Sequence, residues 1–194
     1  MAVLKRDSDY HTYADYLVWS RPYGDELIDG MAYVREPPSP SQPHQWIVFR
    51  LGRQMADALE DKPVEVYVAP FDVRLPKCDE QDDQVDTVVQ PDVFVVSDLG
   101  KVDMRGVRGA PDWLAEVLSP GTARHDRNVK LPVYERAGVR EVWLIHPVER
   151  TLMIYQLEAG RYGRPKTLDL QGKTPVAAFP GVTIDWDRIL ARKL

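Results

Sequence analysis

The sequence predicts a mixed α/β or α+β domain, a β-sheet with helices on its faces, and three observations indicate it. The elements follow one another as helix, strands, helix and strands, which favours a mixed sheet over a helical bundle. Residues 88–96 and 113–119 are short and apolar, as buried strands are. Residues 42–60 repeat their apolar side chains at helical spacing, which gives the sheet a helix to pack against.

The first elements are a short helix, a hairpin and a long helix. Residues 12–19 carry aromatic and aliphatic side chains at helical spacing. Residues 26–34 form two apolar arms around Asp29-Gly30, a favoured two-residue turn. The long helix spans about residues 42–60, with Ser41 as its N-cap and Pro43 in its first turn, where a missing N–H does no harm.

Strands and a second helix make up the rest of the chain. Strands are predicted at residues 64–70, 72–75, 87–96 and 113–119. A helix follows at about residues 125–137, and Gly138 is placed to end it in the left-handed conformation. Strands at 141–147 and 151–157 precede a tail of glycine-rich turns and short strands. Asp185 is expected to cap a last short helix.

Composition limits the classes of function. The chain has 194 residues, 44% of them hydrophobic, which suits one domain over residues 1–194. Cys78 is the single cysteine, so no internal disulfide and no thiolate zinc site can form within the chain, and a cytoplasmic location is predicted. No segment has the apolar length of a membrane span, so no membrane partner is expected. The formal net charge of −5 argues against tight, non-specific DNA binding by the free protein.

Two carboxylates fall within the most apolar strands. Asp92 lies in "VVQPDVFVV" and Glu116 in "APDWLAEVLSP". A buried carboxylate is costly unless it is paired, protonated or bound to a cation. If the two strands are neighbours, both acids can bind one divalent ion, and magnesium suits a site with few protein ligands. The alternative is that each acid lies near a strand end and reaches solvent or an arginine.

The arrangement of these acids resembles a nuclease motif. Pro91-Asp92 followed by Glu116 is similar to the PD-(D/E)XK nuclease superfamily, although Leu118 stands where that motif has its lysine. The segment "EVLSP" and the residues after it resemble one branch, the Uma-type restriction endonucleases, a former domain of unknown function. The residues that carry the likeness beyond "EVLSP" are Asp126, Lys130, Tyr134, Gly138 and "EVWLIHP". The hairpin, the proline-rich loop after it and His44 also match, so the resemblance spans about residues 12–157.

The resemblance implies a fold, a reaction and a cofactor. The fold is a restriction-endonuclease-like mixed sheet flanked by helices, with an additional N-terminal hairpin and C-terminal strands. The reaction is hydrolysis of DNA phosphodiester bonds by a Mg²⁺-dependent endodeoxyribonuclease, with Mn²⁺ as an alternative ion. Asp92 and Glu116 would bind the ion together with the carbonyl of Val117.

The resemblance also implies that the catalytic lysine has moved to the next helix, as Lys130. Asp126, Lys130 and Tyr134 are four residues apart and share one helix face, so a long side chain there can reach the strand end. Pro132 falls inside the predicted helix, which must therefore begin later or bend beside Lys130. The alternative for Lys130 is a surface lysine paired with Asp126.

Two N-terminal residues complete the candidate site. The superfamily often adds an acid from an N-terminal element, and Glu26 fits by position, with Asp25 and Asp29 as competitors. His44 is placed to reach phosphate or a water from the start of its helix. For each of these residues the alternative is a solvated surface position.

Basic residues after position 100 provide a candidate DNA-binding surface. Arg105, Arg108, Arg124 and Arg127 are predicted to bind backbone phosphates, although a charge run is more often a solvated surface. A two-fold homodimer would suit cutting of both strands. Two other classes of function are open: a catalytically inactive nuclease-fold module that binds nucleic acid or protein, and a hydrolase of another substrate. Convergence of Asp92, Glu116 and Lys130 on one cleft separates the first of these from a nuclease.

Overall fold

A computed structural model describes residues 3–5, 7–19, 25–35 and 40–191. The helices are α1 (Tyr13–Tyr16), α2 (Gln42–Leu59), α3 (Ala123–His125), α4 (Leu131–Ala137) and α5 (Trp186–Leu190), with a π-helical segment, Asp126–Lys130, joining α3 to α4. The strands are β1 (Val3–Lys5), β2 (Glu26–Ile28), β3 (Met31–Arg35), β4 (Glu65–Val68), β5 (Val73–Arg74), β6 (Val88–Val89), β7 (Val93–Val96), β8 (Val102–Asp103), β9 (Gly106–Arg108), β10 (Trp113–Val117), β11 (Glu141–His146), β12 (Thr151–Glu158), β13 (Arg161–Tyr162), β14 (Lys166–Asp169), β15 (Lys173–Pro175) and β16 (Thr183–Asp185). No helix within these ranges is long and apolar enough to cross a membrane.

The central sheet has the strand order β13-β12-β11-β10-β7-β4, with β14 also paired to β12. β10 runs parallel to β11 and antiparallel to β7. In the second pairing the ladder ends with Ala115 opposite Val93, and its register continued by one position would bring Glu116 beside Asp92. Residues opposite each other in an antiparallel ladder point to the same face of the sheet. The register therefore carries the two predicted acids on one face.

Each face of the central sheet has its own apolar core. On one face Trp113 and Trp143 pack with residues of α2 and α5 such as Leu51 and Trp186. On the other face the core joins side chains of β7, β10 and β11 to α4 and to a second sheet. That sheet has the order β1-β3-β2-β6-β5-β9-β8 and contains the N-terminal hairpin. The site acids lie on this second face, between the two sheets.

The strand predicted at residues 87–96 is wrong as a single element. The chain forms β6 in the second sheet, passes through Gln90, Pro91 and Asp92, and enters the central sheet as β7. Pro91 has no N–H to give to a ladder, so an uninterrupted strand is unfavourable at this point. The interruption is useful to the site, because it places Asp92 at the junction of the two sheets.

The hairpin and both helix caps are confirmed. Asp29 and Gly30 both have positive φ, 50° and 74°, as the two-residue turn between β2 and β3 requires. The Ser41 hydroxyl accepts the His44 N–H at the start of α2, and Asp185 accepts the Arg188 N–H at the start of α5. The proline-rich loop falls partly outside the described residues, at 36–39.

The helix predicted at residues 125–137 differs from the observed one in both its start and its winding. It begins earlier, at Ala123, and widens into the π-helical segment before α4. In that segment the Leu131 N–H bonds to the carbonyl of Asp126, five residues back. Pro132 then lies in the first turn of α4, where its missing N–H is tolerated. Gly138, with φ of 88°, ends the helix as predicted.

Candidate active site

Asp92 is buried where β7, β10 and α2 meet. Its Oδ2 accepts the Val117 N–H at 2.7 Å and lies 3.2 Å from His44 Nε2. The pairing of β10 with β7 brings the Val117 N–H to Asp92. The cap at Ser41 fixes the first turn of α2, which carries His44. His44 is buried beside the acid, so the surface alternative for this histidine is wrong.

Glu116 is buried on the neighbouring strand, with both of its hydrogen-bond partners on one oxygen. Oε1 lies 2.6 Å from Lys130 Nζ and accepts the Tyr134 hydroxyl at 2.5 Å. No hydrogen bond or ion pair to Oε2 is found among the residues that the structure describes. Burial raises the pKa of Glu116 above its ordinary value of 4.5; Asp92 and Glu26 raise it further, and Lys130 opposes them.

Lys130 is fully buried between two carboxylates, so the surface-lysine alternative is wrong. Its ammonium lies 2.6 Å from Glu116 Oε1 and 2.8 Å from Glu26 Oε1. Asp126, the partner expected in that alternative, is buried as well. Lys130 and Tyr134 both reach Glu116 because they are four residues apart on one helix face. The predicted placement of the lysine on the helix after the second acid agrees with this arrangement.

Glu26, one of the three N-terminal acids, reaches the lysine. It lies on β2, where Oε1 accepts the Gln90 N–H at 3.1 Å and Oε2 lies 3.2 Å from His125 Nε2. Asp29 instead pairs with Arg136 at 2.6 Å and with Lys77 at 3.1 Å, on the surface of the hairpin. Asp25 is buried beside Glu26 along the chain.

Sequence reasoning missed three residues that contact the site. The motif includes Tyr134 but assigns it no role, and the structure shows that its hydroxyl donates to Glu116. Gln90 donates its backbone N–H to Glu26 and its side-chain amide to Asp72 at 2.7 Å. His125 could not have been found from helical spacing, because the π-helical segment changes which residues share a face.

A family model matches most of this sequence. The Uma2 model, described as "Putative restriction endonuclease", matches residues 13–187. The chain belongs to the Uma2 family. No curated protein gives a significant match to this Uma2 chain.

A solved structure has the same fold as the Uma2 chain. It is the crystal structure of "a putative nuclease belonging to DUF820" from Anabaena variabilis, with a TM-score of 0.71 and 18% sequence identity. The superposition covers 92% of this chain and 96% of that chain. At this identity the likeness concerns the fold, and it confirms the predicted mixed α+β nuclease-like architecture.

The Uma2 site fits a divalent ion held by few protein ligands. Within the described ranges, no group of three or more His, Cys, Asp or Glu side chains is arranged to hold a metal. Asp92 and Glu116 nevertheless offer hard oxygen donors that lie near enough for the charge of Asp92 to raise the pKa of Glu116. Lys130 pairs with Glu26 and Glu116, and the charge of Asp92 also acts on Glu116, so the three acids outnumber this one ammonium if all are ionised. Magnesium commonly takes one or two carboxylates and keeps several waters, so this donor set suits it.

The four predicted DNA-binding arginines of the Uma2 chain do not form one row. Arg124 and Arg127 are exposed on α3 and the π-helical segment, beside His125 and Lys130 along the chain. Arg105 is exposed between β8 and β9, at the end of the second sheet. Arg108 is engaged within the protein, since it donates to the Glu80 carbonyl at 2.5 Å and lies 3.4 Å from Asp82.

Proposed function

We propose that this Uma2 protein is a Mg²⁺-dependent endonuclease that hydrolyses phosphodiester bonds in DNA, with Asp92 and Glu116 as the ion ligands. The observation that supports the proposal is that buried Glu116 pairs with buried Lys130, while buried Asp92 accepts the N–H of Val117, the residue next to Glu116. Membership of a family described as restriction endonucleases supplies the reaction class. Mn²⁺ is expected to replace Mg²⁺, because both accept hard oxygen ligands.

The two ligands are oriented by groups on three different elements. The Val117 N–H and His44 aim Asp92, and Lys130 and Tyr134 engage Oε1 of Glu116, which would leave Oε2 for an ion. The carbonyl of Val117 is the proposed third protein ligand. A bound ion would supply positive charge to the phosphate and lower the pKa of a water.

Lys130 supplies a fixed positive charge next to the reacting phosphate. Its ammonium is held by Glu116 and Glu26 before substrate arrives, so no reorganisation is needed when charge develops on the phosphate. The Lys130 ammonium and a bound metal ion would repel each other. A phosphate between them would offset this repulsion, so the lysine also favours phosphate binding. The lysine thus performs from a helix the role that the superfamily usually gives to a strand residue.

DNA is expected to approach along the exposed side of α3 and the π-helical segment. Arg124 and Arg127 project to solvent there and can bind backbone phosphates on either side of the scissile bond. Arg105 and Arg108 are proposed as more distant contacts, of which Arg108 would first have to leave Asp82. With a net charge of −5, attraction to DNA is local to such positions and should weaken steeply with salt.

The proposal is tested by a cleavage assay on supercoiled, linear and single-stranded DNA with Mg²⁺, Mn²⁺ or EDTA. Glu116→Gln should reduce the rate by about a hundredfold or more, as loss of a metal ligand does. The matched control is Glu141→Gln, because Glu141 is also a buried glutamate, bonded to Trp143 Nε1 and the Ala178 N–H away from the site. This control should cut at the wild-type rate.

Absence of metal-dependent cleavage on every DNA form would reject the nuclease proposal. DNA binding that persists without cleavage would then favour the inactive module. That alternative draws its support from Leu118, which occupies the usual lysine position and is buried in the apolar core.

A further inference from the structure

His125 and Lys130 meet the two oxygens of a single carboxylate. Glu26 presents Oε2 to His125 Nε2 at 3.2 Å and Oε1 to Lys130 Nζ at 2.8 Å. The Gln90 N–H adds a third contact, to Oε1 at 3.1 Å. Glu26 is therefore gripped from both ends of its carboxylate, with the catalytic lysine of the proposed mechanism at one end and a histidine at the other.

The winding of the helix makes this double contact geometrically possible. In a regular α-helix, residues five apart point about 140° away from each other. Here the Leu131 N–H bonds to the Asp126 carbonyl, five residues back, so positions five apart are brought toward the same face. His125 and Lys130 are such a pair, and they stand on either side of the π-helical segment's first four residues. Isolated π-helical turns are frequent at functional sites.

The imidazole is itself fixed before it meets the acid. Its ring packs against Tyr33 of β3 with the ring centres 4.7 Å apart, and the side chain is only 7% exposed. The turn that starts its helix is closed by Ser119 and Thr122, whose hydroxyl oxygens lie 3.0 Å apart. With the ring held in this way, Nε2 points toward Glu26.

We propose that His125 is a positioning residue of the nuclease site, which acts through Glu26 to hold the Lys130 ammonium against Glu116. This inference rests on the proposed function for its kinetic consequences, but not for its structural ones. Glu26 is by the same argument a support for the lysine, and the metal ligands remain Asp92 and Glu116. A hydrogen bond from His125 orients the Glu26 carboxylate. The oriented carboxylate then fixes the position of the Lys130 ammonium relative to Glu116.

The kinetic test compares two replacements of His125 of similar size. In His125→Gln the side-chain amide can put an N–H donor where Nε2 now lies, whereas His125→Phe keeps a ring on Tyr33 and removes the donor. The phenylalanine variant should lose about ten- to hundredfold in kcat with KM within about twofold, as expected when an outer support of a reacting group is removed. The glutamine variant should recover most of that loss, and His11→Gln, at a partly buried histidine that pairs with Asp7, should not alter the rate.

A second test does not depend on cleavage. The thermal midpoints of His125→Phe, Lys130→Met and the double variant are measured at one pH in metal-free buffer. If His125 and Lys130 act on the same carboxylate, the two effects are not additive. In a Glu26→Gln background, His125→Phe should cost much less than it does in the wild type. If His125→Phe does not fold, His125→Asn takes its place, since its shorter amide cannot reach Glu26 in the same way.

The two tests fail in distinguishable ways. Absence of cleavage by the wild type, with non-additive midpoints, rejects the proposed function and keeps the link from His125 through Glu26 to Lys130. Additive midpoints overturn the inference whatever the activity. Equal rates for the glutamine and phenylalanine variants also overturn it, because packing rather than hydrogen bonding would then explain the histidine.

Discussion

Glu116 is a buried carboxylate whose position lowers the stability of the folded protein. It is 1% exposed, lies opposite another acid, and shares its lysine with Glu26. Burial, followed by the charges of Asp92 and Glu26 against that of Lys130, leaves the pKa of Glu116 raised. A raised carboxyl pKa means that the native state holds its proton to higher pH than the unfolded chain does.

The free energy of unfolding should therefore fall as pH rises through the raised pKa of Glu116. Glu116→Gln removes the charge and keeps the shape, so without metal it should unfold at a higher temperature than the wild type at pH 8 and at a similar temperature near pH 4. Thermal melts at a series of pH values measure this. Glu158→Gln, an exposed residue, is the control. A variant that is less stable than the wild type at pH 8 would show that the pair with Lys130 outweighs burial.

Tyr134 should tune the same carboxylate. Its hydroxyl donates to Glu116 Oε1, and burial, followed by the charge of Glu116, raises the pKa of Tyr134 well above 10.0, so it remains a donor at every relevant pH. Tyr134→Phe should lower the free energy of unfolding by about 1.5–3 kcal/mol, the range for a hydrogen bond to a charged group. It should also shift the acid limb of the pH–rate profile upward, because ionised Glu116 loses a donor. An unchanged profile would assign Tyr134 to packing alone.

Lys130 carries the sharpest kinetic expectation. Lys130→Ala should lower the cleavage rate by about a hundredfold or more, a loss typical of one electrostatic contact in a closed site. It should leave Mg²⁺ affinity nearly intact, since ammonium is not a ligand. Lys130→Arg should rescue poorly, because a planar fork cannot replace a compact charge between two carboxylates. Normal cleavage by the alanine variant would remove Lys130 from the mechanism.

The residues that could be predicted are those with a positional signal. Asp92 and Glu116 are conspicuous because a carboxylate in an apolar strand needs a reason, and Lys130 follows from the motif and the helix that carries it. The structure then distinguishes Glu26, which pairs with Lys130, from Asp29, which pairs with Arg136. His125 gave no such signal, since its role depends on a change of helical winding.

At the scale of elements, the two places where regular patterns failed are the two places where the site is built. The strand expected at 87–96 divides at Pro91, which puts Asp92 at the junction of two sheets. The helix expected at 125–137 widens before Pro132, which turns His125 and Lys130 toward one carboxylate. Proline lies at both departures, because it removes a donor from a ladder or a helix. Periodicity shows that an element exists there, but it does not show how the element is interrupted.

Restoring a regular helix should therefore destroy the site. Deleting Asn128, an exposed residue of the π-helical segment, allows i→i+4 bonding to continue from α3 into α4. His125 and Lys130 would then point in different directions, so we expect cleavage to fall by at least about a hundredfold and the thermal midpoint to drop. Asn128→Ala keeps the length of the segment and should behave as the wild type. Full activity of the deletion variant would show that the winding is incidental.

At the scale of the whole molecule, the site is the contact between two sheets. Asp92 and Glu116 belong to the central sheet and its approach, and Glu26 belongs to the second sheet. The apolar core on this face joins Ile28 and Val73 of one sheet to Phe94 and Leu114 of the other. The mixed fold was predictable from the order of elements. The division into two sheets was not, since strands as short as β5 and β6 carry almost no periodic signal.

A divalent ion bound at the proposed site should stabilise the whole fold, because the unfolded chain lacks that site. At about a hundred times its dissociation constant, Mg²⁺ should raise the thermal midpoint by roughly 5–10 °C for a chain of this size. The gain should disappear in Glu116→Ala. An equal gain in both proteins would mean that the ion binds elsewhere.

The long sequence separation within the site has a consequence for biosynthesis. Glu26 and His125 are 99 residues apart. At about 5–20 residues per second, the ribosome releases the acid roughly 5–20 s before its histidine and lysine. Until then Glu26 lacks both His125 and Lys130, and the central sheet still lacks β11. A half-made chain therefore lacks the complete site, so the cleavage proposed for the finished chain cannot begin during translation.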